Sequence, residues 1–310
     1  MSKRTLFIII GLLIFLDVAS FLIYFVSNSN RDGKSPLEFS FGDTVAAKMA
    51  DTIPDVLIED KFDTISHSVT YASQDLIDDG GVKKHMISTI NLKFVWPVSI
   101  NGRKHFHELE QALMHKISSR DFITLQECID TLLLHPRFAK PTKRFTRIDH
   151  AEQLANPLQS THSYRVFPYF RTTYLLEMVV LVEHSLDLKI KREMKIVHYD
   201  RMHDKVILID EIFDMSQSKD ILALVNQGIE NLKTKKKNKT IHEISVLPHE
   251  FLLGSKSVIF YLPDGLIADP GSGSYEVYVS NDELKPYFTE FYNELLNNDD
   301  YFQSYGYLTF

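Results

Sequence analysis

VLPHEFLLGSKSVIFYLPDGLIADPGSGSYEVYVSNDELKPYF, residues 246–288, decides how this chain reads. An apolar pair precedes Pro248, and a short turn falls at Gly254 and Ser255. The β-branched and aromatic run Val258-Ile259-Phe260-Tyr261 predicts a strand that stops at Pro263. Tyr275 to Val279 predicts a second strand, and Asn281-Asp282-Glu283 opens an amphipathic helix. Between the strands lies an irregular loop containing Gly265, Pro270, Gly271 and Gly273. The pattern is strand, loop, strand, helix, and it holds no titratable cluster made for catalysis.

Working outward, β-rich runs cover 164–170, 172–184 and 189–199, followed by a hairpin turned at Arg201-Met202-His203-Asp204. Asp210 to Phe213 reads as a helical corner. Residues 218–232 read as a helix with Ile221, Leu222, Val225 and Ile229 inward. The basic run 233–239 ends that helix and complements its dipole. Towards the N-terminus, residues 62–72 and 86–95 alternate as an antiparallel hairpin around Asp78-Asp79-Gly80-Gly81. Helices follow at 105–117 and 122–134, with Phe106, Leu109, Leu113 and Ile117 on one face of the first. The fold class is therefore α+β, with antiparallel sheets and packed helices. Residues 56–135 form a first lobe, 136–162 a connection, 163–296 a second lobe and 297–310 an aromatic tail. Phe94 and Phe260 are expected in the core, with Trp96 and Tyr261 on or beside strands.

The first residues set the location. Lys3 and Arg4 precede an apolar run over 5–26, long enough to span a bilayer as a helix. Asp17, near its midpoint, costs about 2.5–3.5 kcal/mol on insertion scales, which the surrounding Ile, Leu and Phe offset. A cleaved signal peptide is the competing reading, but Ser27-Asn28-Ser29 makes a poor cleavage site. The expectation is a single-pass anchor with residues 1–4 cytoplasmic, 27–55 a stalk, and the remainder outside the cytoplasm.

Composition narrows the chemistry. Of the 310 residues, 44% are hydrophobic, enough for a sizeable core. A net charge of −7 argues against nucleic acid as a partner, since phosphate binding needs a basic surface. The single cysteine, Cys128, permits no internal disulfide and no multi-thiolate metal site. His105 and His107 flank Phe106 at a helix start, where their side chains diverge, so they read as a polar first turn and not as a metal pair. His198 and His203 flank a hairpin turn and are expected at the surface. There is no His-Glu-x-x-His, Gly-x-Ser-x-Gly or Walker loop. No catalytic residue, metal or cofactor is expected.

One resemblance rests on order and spacing. Tyr199-Asp200, the corner Ile209-Asp210-Glu211-Ile212-Phe213, Pro248 to Phe251, Phe260-Tyr261, Ile267-Ala268 to Gly273, and Leu284-Lys285-Pro286-Tyr287 follow in that sequence. The series resembles the extracytoplasmic domain shared by the anti-sigma-V factor RsiV and the peptidoglycan deacetylase PdaC. It covers roughly 196–290, with a weaker echo over 85–117. The chain departs from that pattern at Val182-Glu183-His184-Ser185, where the family carries a glycine-rich turn, and at Gly265-Leu266. The resemblance implies a cell-envelope domain, in one relative a binder of lysozyme, and implies no activity.

The function expected is a membrane-anchored, extracytoplasmic binding or sensing module of the bacterial envelope, with a protein such as lysozyme or a cell-wall component as ligand. An envelope enzyme acting on peptidoglycan or polysaccharide is the alternative, and a structural partner of another membrane complex is a third class. Irregular loops on a rigid sheet are common recognition sites. The expected binding residues are accordingly Asp264, Gly265, Ile267, Ala268, Asp269, Gly271 and Gly273, with the two aspartates as an acidic rim. Two carboxylates in a six-residue loop are too few hard oxygens to define a calcium site, so they read as a solvated loop.

Overall fold

A central strand buried on both faces anchors the large sheet. In β7 (Leu175–Leu186) the run LLEMVVLV is buried at every position, as expected for a strand covered from both sides. In a computed structural model of the chain, the residues described are 60–134, 145–149, 156–187, 189–236, 240–298 and 303–304. They belong to one structural unit, Val56–Phe310. The expected anchor at 5–26 and stalk at 27–55 lie outside the described residues. Among the described residues no helix is long and apolar enough to cross a membrane.

The large sheet is built from β1 (Lys61–Ser73), β4 (Met86–Ser99), β5 (Phe145–Arg147), β6 (Leu158–Arg171), β7, β8 (Lys189–Asp200) and β9 (Lys205–Ile207), in the order β5-β1-β4-β6-β7-β8-β9. A short β13 (Gln303–Ser304) pairs with the end of β6. The expected hairpin is present as β1 against β4, antiparallel. Between them sits a small hairpin of β2 (Ile77–Asp79) and β3 (Val82–Lys84). Its turn uses Gly80 and Gly81 at φ 61° and 88°, a left-handed pair that side chains resist.

Two expectations change here. β4 pairs with β6 in parallel over nine residue pairs, from Met86↔Leu158 to Phe94↔Val166. The sheet is therefore mixed and not purely antiparallel. The same pairing joins β1 and β4 of 56–135 to β6, β7, β8 and β9 in one sheet, so the large sheet is not divided between two lobes. A sequence reading by local hairpins misses this, because the parallel partner lies beyond two helices and a long connection. The connection itself ends at residue 157, and β6 begins six residues before the apolar run at Tyr164 because its first residues alternate buried and exposed.

One face of this sheet packs on α1 (His107–Ser118) and α2 (Leu125–Leu134). Ile90, Leu92, Phe94 and Trp96 of β4 meet Leu109, Leu113 and Ile117 of α1, with Phe94 fully buried. Ser119, at φ 57°, ends α1 in the left-handed conformation. The opposite face, through Phe167, Val179, Leu181, Met194 and Ile196, is covered by Leu252, Ile259 and Tyr261 of a second, three-stranded sheet. That sheet is β10 (Phe251–Leu253), β11 (Ser257–Leu262) and β12 (Tyr275–Ser280), all antiparallel. Its other side packs on α4 (Ser218–Lys236) through Ile221, Val225 and Ile229. The layers run helices, large sheet, small sheet, helix.

A one-turn helix α3 (Ile209–Ile212) makes the expected corner. At the C-terminal side the single amphipathic helix expected from 281 is broken. Ser280 caps α5 (Asn281–Leu284): its hydroxyl accepts the Glu283 N–H at 3.2 Å while Glu283 Oε2 reaches back to the Ser280 N–H. The chain then tightens into a 3-10 turn over Lys285–Tyr287, and a separate α6 runs Glu290–Asn298. Pro286 lacks the N–H that would continue the helix. At one end of the large sheet, buried Asp60 accepts Arg201 Nη2 at 2.8 Å, Arg171 Nη1 at 3.2 Å and the Asn101 N–H at 2.9 Å. Two guanidinium groups and the 100–103 turn are thus tied to the start of β1.

Candidate functional site: the β11–β12 loop

The loop between Leu262 and Tyr275 leaves a rigid base. Phe260 and Val277 are opposed across β11 and β12, buried to 0% and 1%. Immediately beyond the sheet, the Asp264 carboxylate turns back over the loop. Its oxygens accept the Gly271 N–H at 2.8 and 3.0 Å and the Gly273 N–H at 2.9 Å. Gly265, Gly271 and Gly273 hold φ of 81°, 93° and 88°. At Gly265 a Cβ would also lie 3.4 Å from the Pro270 ring. Smaller turns complete the loop: the Leu266 N–H donates to Pro263 O, and the Ser272 N–H to Asp269 O.

The seven expected binding residues divide into three groups. Asp264, Gly271 and Gly273 are joined by hydrogen bonds and form the scaffold of the loop. Ile267 and Ala268 dip into the core between the small sheet and α4, buried to 0% and 3%. Their place is fixed further by the His242 N–H, which donates to Ile267 O at 2.9 Å. Asp269 and Gly265 are exposed, alongside Leu266, Pro270 and Ser272. Of the two carboxylates, Asp269 is thus the exposed one, while Asp264 is half-buried and spent on backbone donors.

The surroundings of the loop are mixed in charge. Lys236, at the basic end of α4, sits 4.5 Å from the centre of the Tyr275 ring, where the loop re-enters the sheet. The Tyr261 hydroxyl is hydrogen-bonded with Ser274 and donates to Arg192 O at 3.3 Å, so the loop abuts the β8 edge of the large sheet. Burial, ahead of neighbouring charges, raises the pKa of that hydroxyl. On β12, Tyr278 is 60% exposed and donates to Glu276 at 2.7 Å. Its pKa is pushed up to about 12, by burial first and then by Glu276. Among the described residues no group of three His, Cys, Asp or Glu side chains is placed to hold a metal. The arrangement offers an exposed backbone-rich loop, one free carboxylate and neighbouring tyrosines, which suits recognition of a surface.

The histidines correct one expectation. His203 is at the surface, its side chain 77% exposed, and bonds Asp200 at 2.7 Å. His198 is instead buried, stacked on Phe251 at 4.7 Å with 26° between the rings. Directly opposite on β7 lies Glu177, fully buried. Sequence reasoning passed over this pair, although a signal was present. A lone carboxylate inside LLEMVVLV has nowhere to go but the interior, and needs a polar partner there.

No family model matches the chain, and no curated protein matches it. Among solved structures, a member of the DUF3298 family from Bacteroides fragilis is similar to it at 12% identity with a TM-score of 0.53, covering 77% of this chain and 96% of that one. The chain has the fold of that DUF3298 protein. A DUF3298 family protein from Pseudomonas aeruginosa, also 12% identical, covers 75% of this chain and 97% of its own at a TM-score of 0.46. At such identity the DUF3298 likeness concerns architecture and assigns no residue a role.

Proposed function

We propose that the chain is a membrane-anchored, extracytoplasmic binding or sensing module of the bacterial cell envelope, and that it recognises its ligand through the exposed part of the loop 263–273. The observation that carries the reading is the irregular, exposed loop set on the buried strand pair β11–β12, in a chain that has the fold of a DUF3298 protein. It fits the resemblance of 196–290 to the envelope domain of RsiV and PdaC. The apolar run at 5–26 supports anchoring, and the loop supplies an exposed surface on a rigid sheet. The ligand proposed is a protein such as lysozyme, or a cell-wall component.

The full chain, solubilised and immobilised, would be exposed in turn to lysozyme and to purified peptidoglycan, with soluble products assayed in the same vessel. Saturable retention without product supports the binding module. Released or deacetylated cell-wall fragments would establish the enzyme instead, and the absence of both retention and products would remove these two ligand classes. Location is tested apart from ligand: protease added to spheroplasts should digest residues beyond 27 and leave the anchor.

A further inference from the structure

We propose that Glu177 is a proton-operated clasp between the two sheets: with its buried carboxyl protonated the closed packing of β7 on β10 is favoured, and ionisation favours opening of that packing, because the charge gains more from water than the Leu253 N–H returns. The inference concerns the interior of the fold and is independent of the binding reading. Glu177 lies in a row Phe170–Glu177–His198–Ile207 that crosses β6, β7, β8 and β9 and faces the small sheet. Its Oε1 accepts the Leu253 N–H of β10 at 2.7 Å. The same oxygen is 2.9 Å from His198 Nδ1, but without the alignment of a good hydrogen bond. Oε2 is buried and has no hydrogen-bond partner among the described residues. One carboxyl oxygen therefore bridges the two sheets.

An ionised carboxylate with one oxygen unsolvated and unbonded is costly, whereas a proton on the carboxyl removes the charge and leaves Oε1 free to accept from Leu253. Burial dominates at this site and pushes the Glu177 carboxyl up from its ordinary range. The His198 and Leu253 contacts pull the other way, with less effect. The titratable groups facing the pocket are His198 on β8 and Tyr169 on β6, with Glu276 on β12 further along. Tyr169 is itself pushed up to about 12, by burial first and then by Glu177 and Glu276. From β10 come only the Phe251 ring and the Leu253 backbone, among the described residues.

The sign follows from linkage. A carboxyl whose folded pKa is raised stabilises the fold fully below its unfolded pKa. That stabilisation is lost as pH rises through the folded value. The clasp is thus firm in acid and weakened at higher pH. Glu177→Gln keeps an oxygen for the Leu253 N–H and cannot ionise. Denaturation midpoints of the full chain, wild type and variant, would be compared from about pH 5 to about pH 8. The wild type should lose stability relative to the variant as pH rises, and exchange protection of the Leu253 amide should fall in the wild type alone once intrinsic exchange is subtracted. Should Glu177→Gln fail to fold, infrared titration of the wild type remains decisive, through a protonated buried-carboxyl band that fades as pH rises. Parallel pH profiles for the two proteins, or a wild type showing only carboxylate at Glu177 throughout, would overturn the proposal.

Discussion

Against α4 the small sheet presents Val258, Phe260, Val277 and Val279, all 3% exposed or less, and meets Ile221, Val225 and Ile229 on a helix face that opens at Gly228 to admit Val277. Against the end of β7 it presents a backbone N–H to a carboxyl that has a histidine beside it. The first contact is held by shape, and its strength depends on how closely atoms approach. The second adds a contact that depends on a proton to the apolar packing of Leu252, Ile259 and Tyr261 on the large sheet. One small sheet thus has a junction indifferent to pH on one side and a titratable junction on the other.

The comparison is broken most severely from the apolar side. Phe260→Ala removes a ring that contacts Phe213 and Phe251, and should cost about 3–5 kcal/mol. The loss, read from denaturant midpoints, should be the same at low and neutral pH. An unmoved midpoint would remove β11 from the core. A smaller effect comes from Gly228, where an added Cβ would stand 2.3 Å from Val277 Cγ1. Overpacking costs about 1–3 kcal/mol and the helical preference of alanine returns up to about 1. Gly228→Ala should therefore be destabilising, and Val277→Ala should recover part of the loss in a double-mutant cycle. Additive effects would show that α4 and β12 do not meet there.

Parts of this were legible in the sequence and parts were not, for physical reasons. β11 and β12 announce themselves by β-branched and aromatic runs bounded by Pro263 and the glycine loop, and α4 by Ile221, Val225 and Ile229 at helical spacing. The β4–β6 parallel pairing leaves no local mark, since it joins residues about seventy positions apart in sequence. The break after α5 was readable at Pro286 and was masked by the capping signal just before it. In the loop, Gly265, Gly271 and Gly273 take the left-handed backbone that glycine alone adopts freely. No periodicity, however, distinguishes Ile267 and Ala268, which are core, from Leu266 and Asp269, which are exposed. His198 lies shortly before a turn, which suggests the surface, but its position on the inward row of β8 buries it.

The smallest structural effect and the most direct functional one are expected in the loop. Replacing Asp264 and Asp269 together by Asn leaves a side-chain oxygen to accept the Gly271 and Gly273 N–H groups while removing two negative charges. Melting of the full chain should be nearly unchanged. If recognition of a basic protein takes place on this loop, that double variant should associate with lysozyme several-fold more slowly than the wild type. The wild-type rate should also fall as salt is added, since steering by exposed charge is screened. Stopped-flow association at low and high salt makes the measurement. An association rate that is the same in both proteins and insensitive to salt would contradict the placement of the binding surface on residues 263–273.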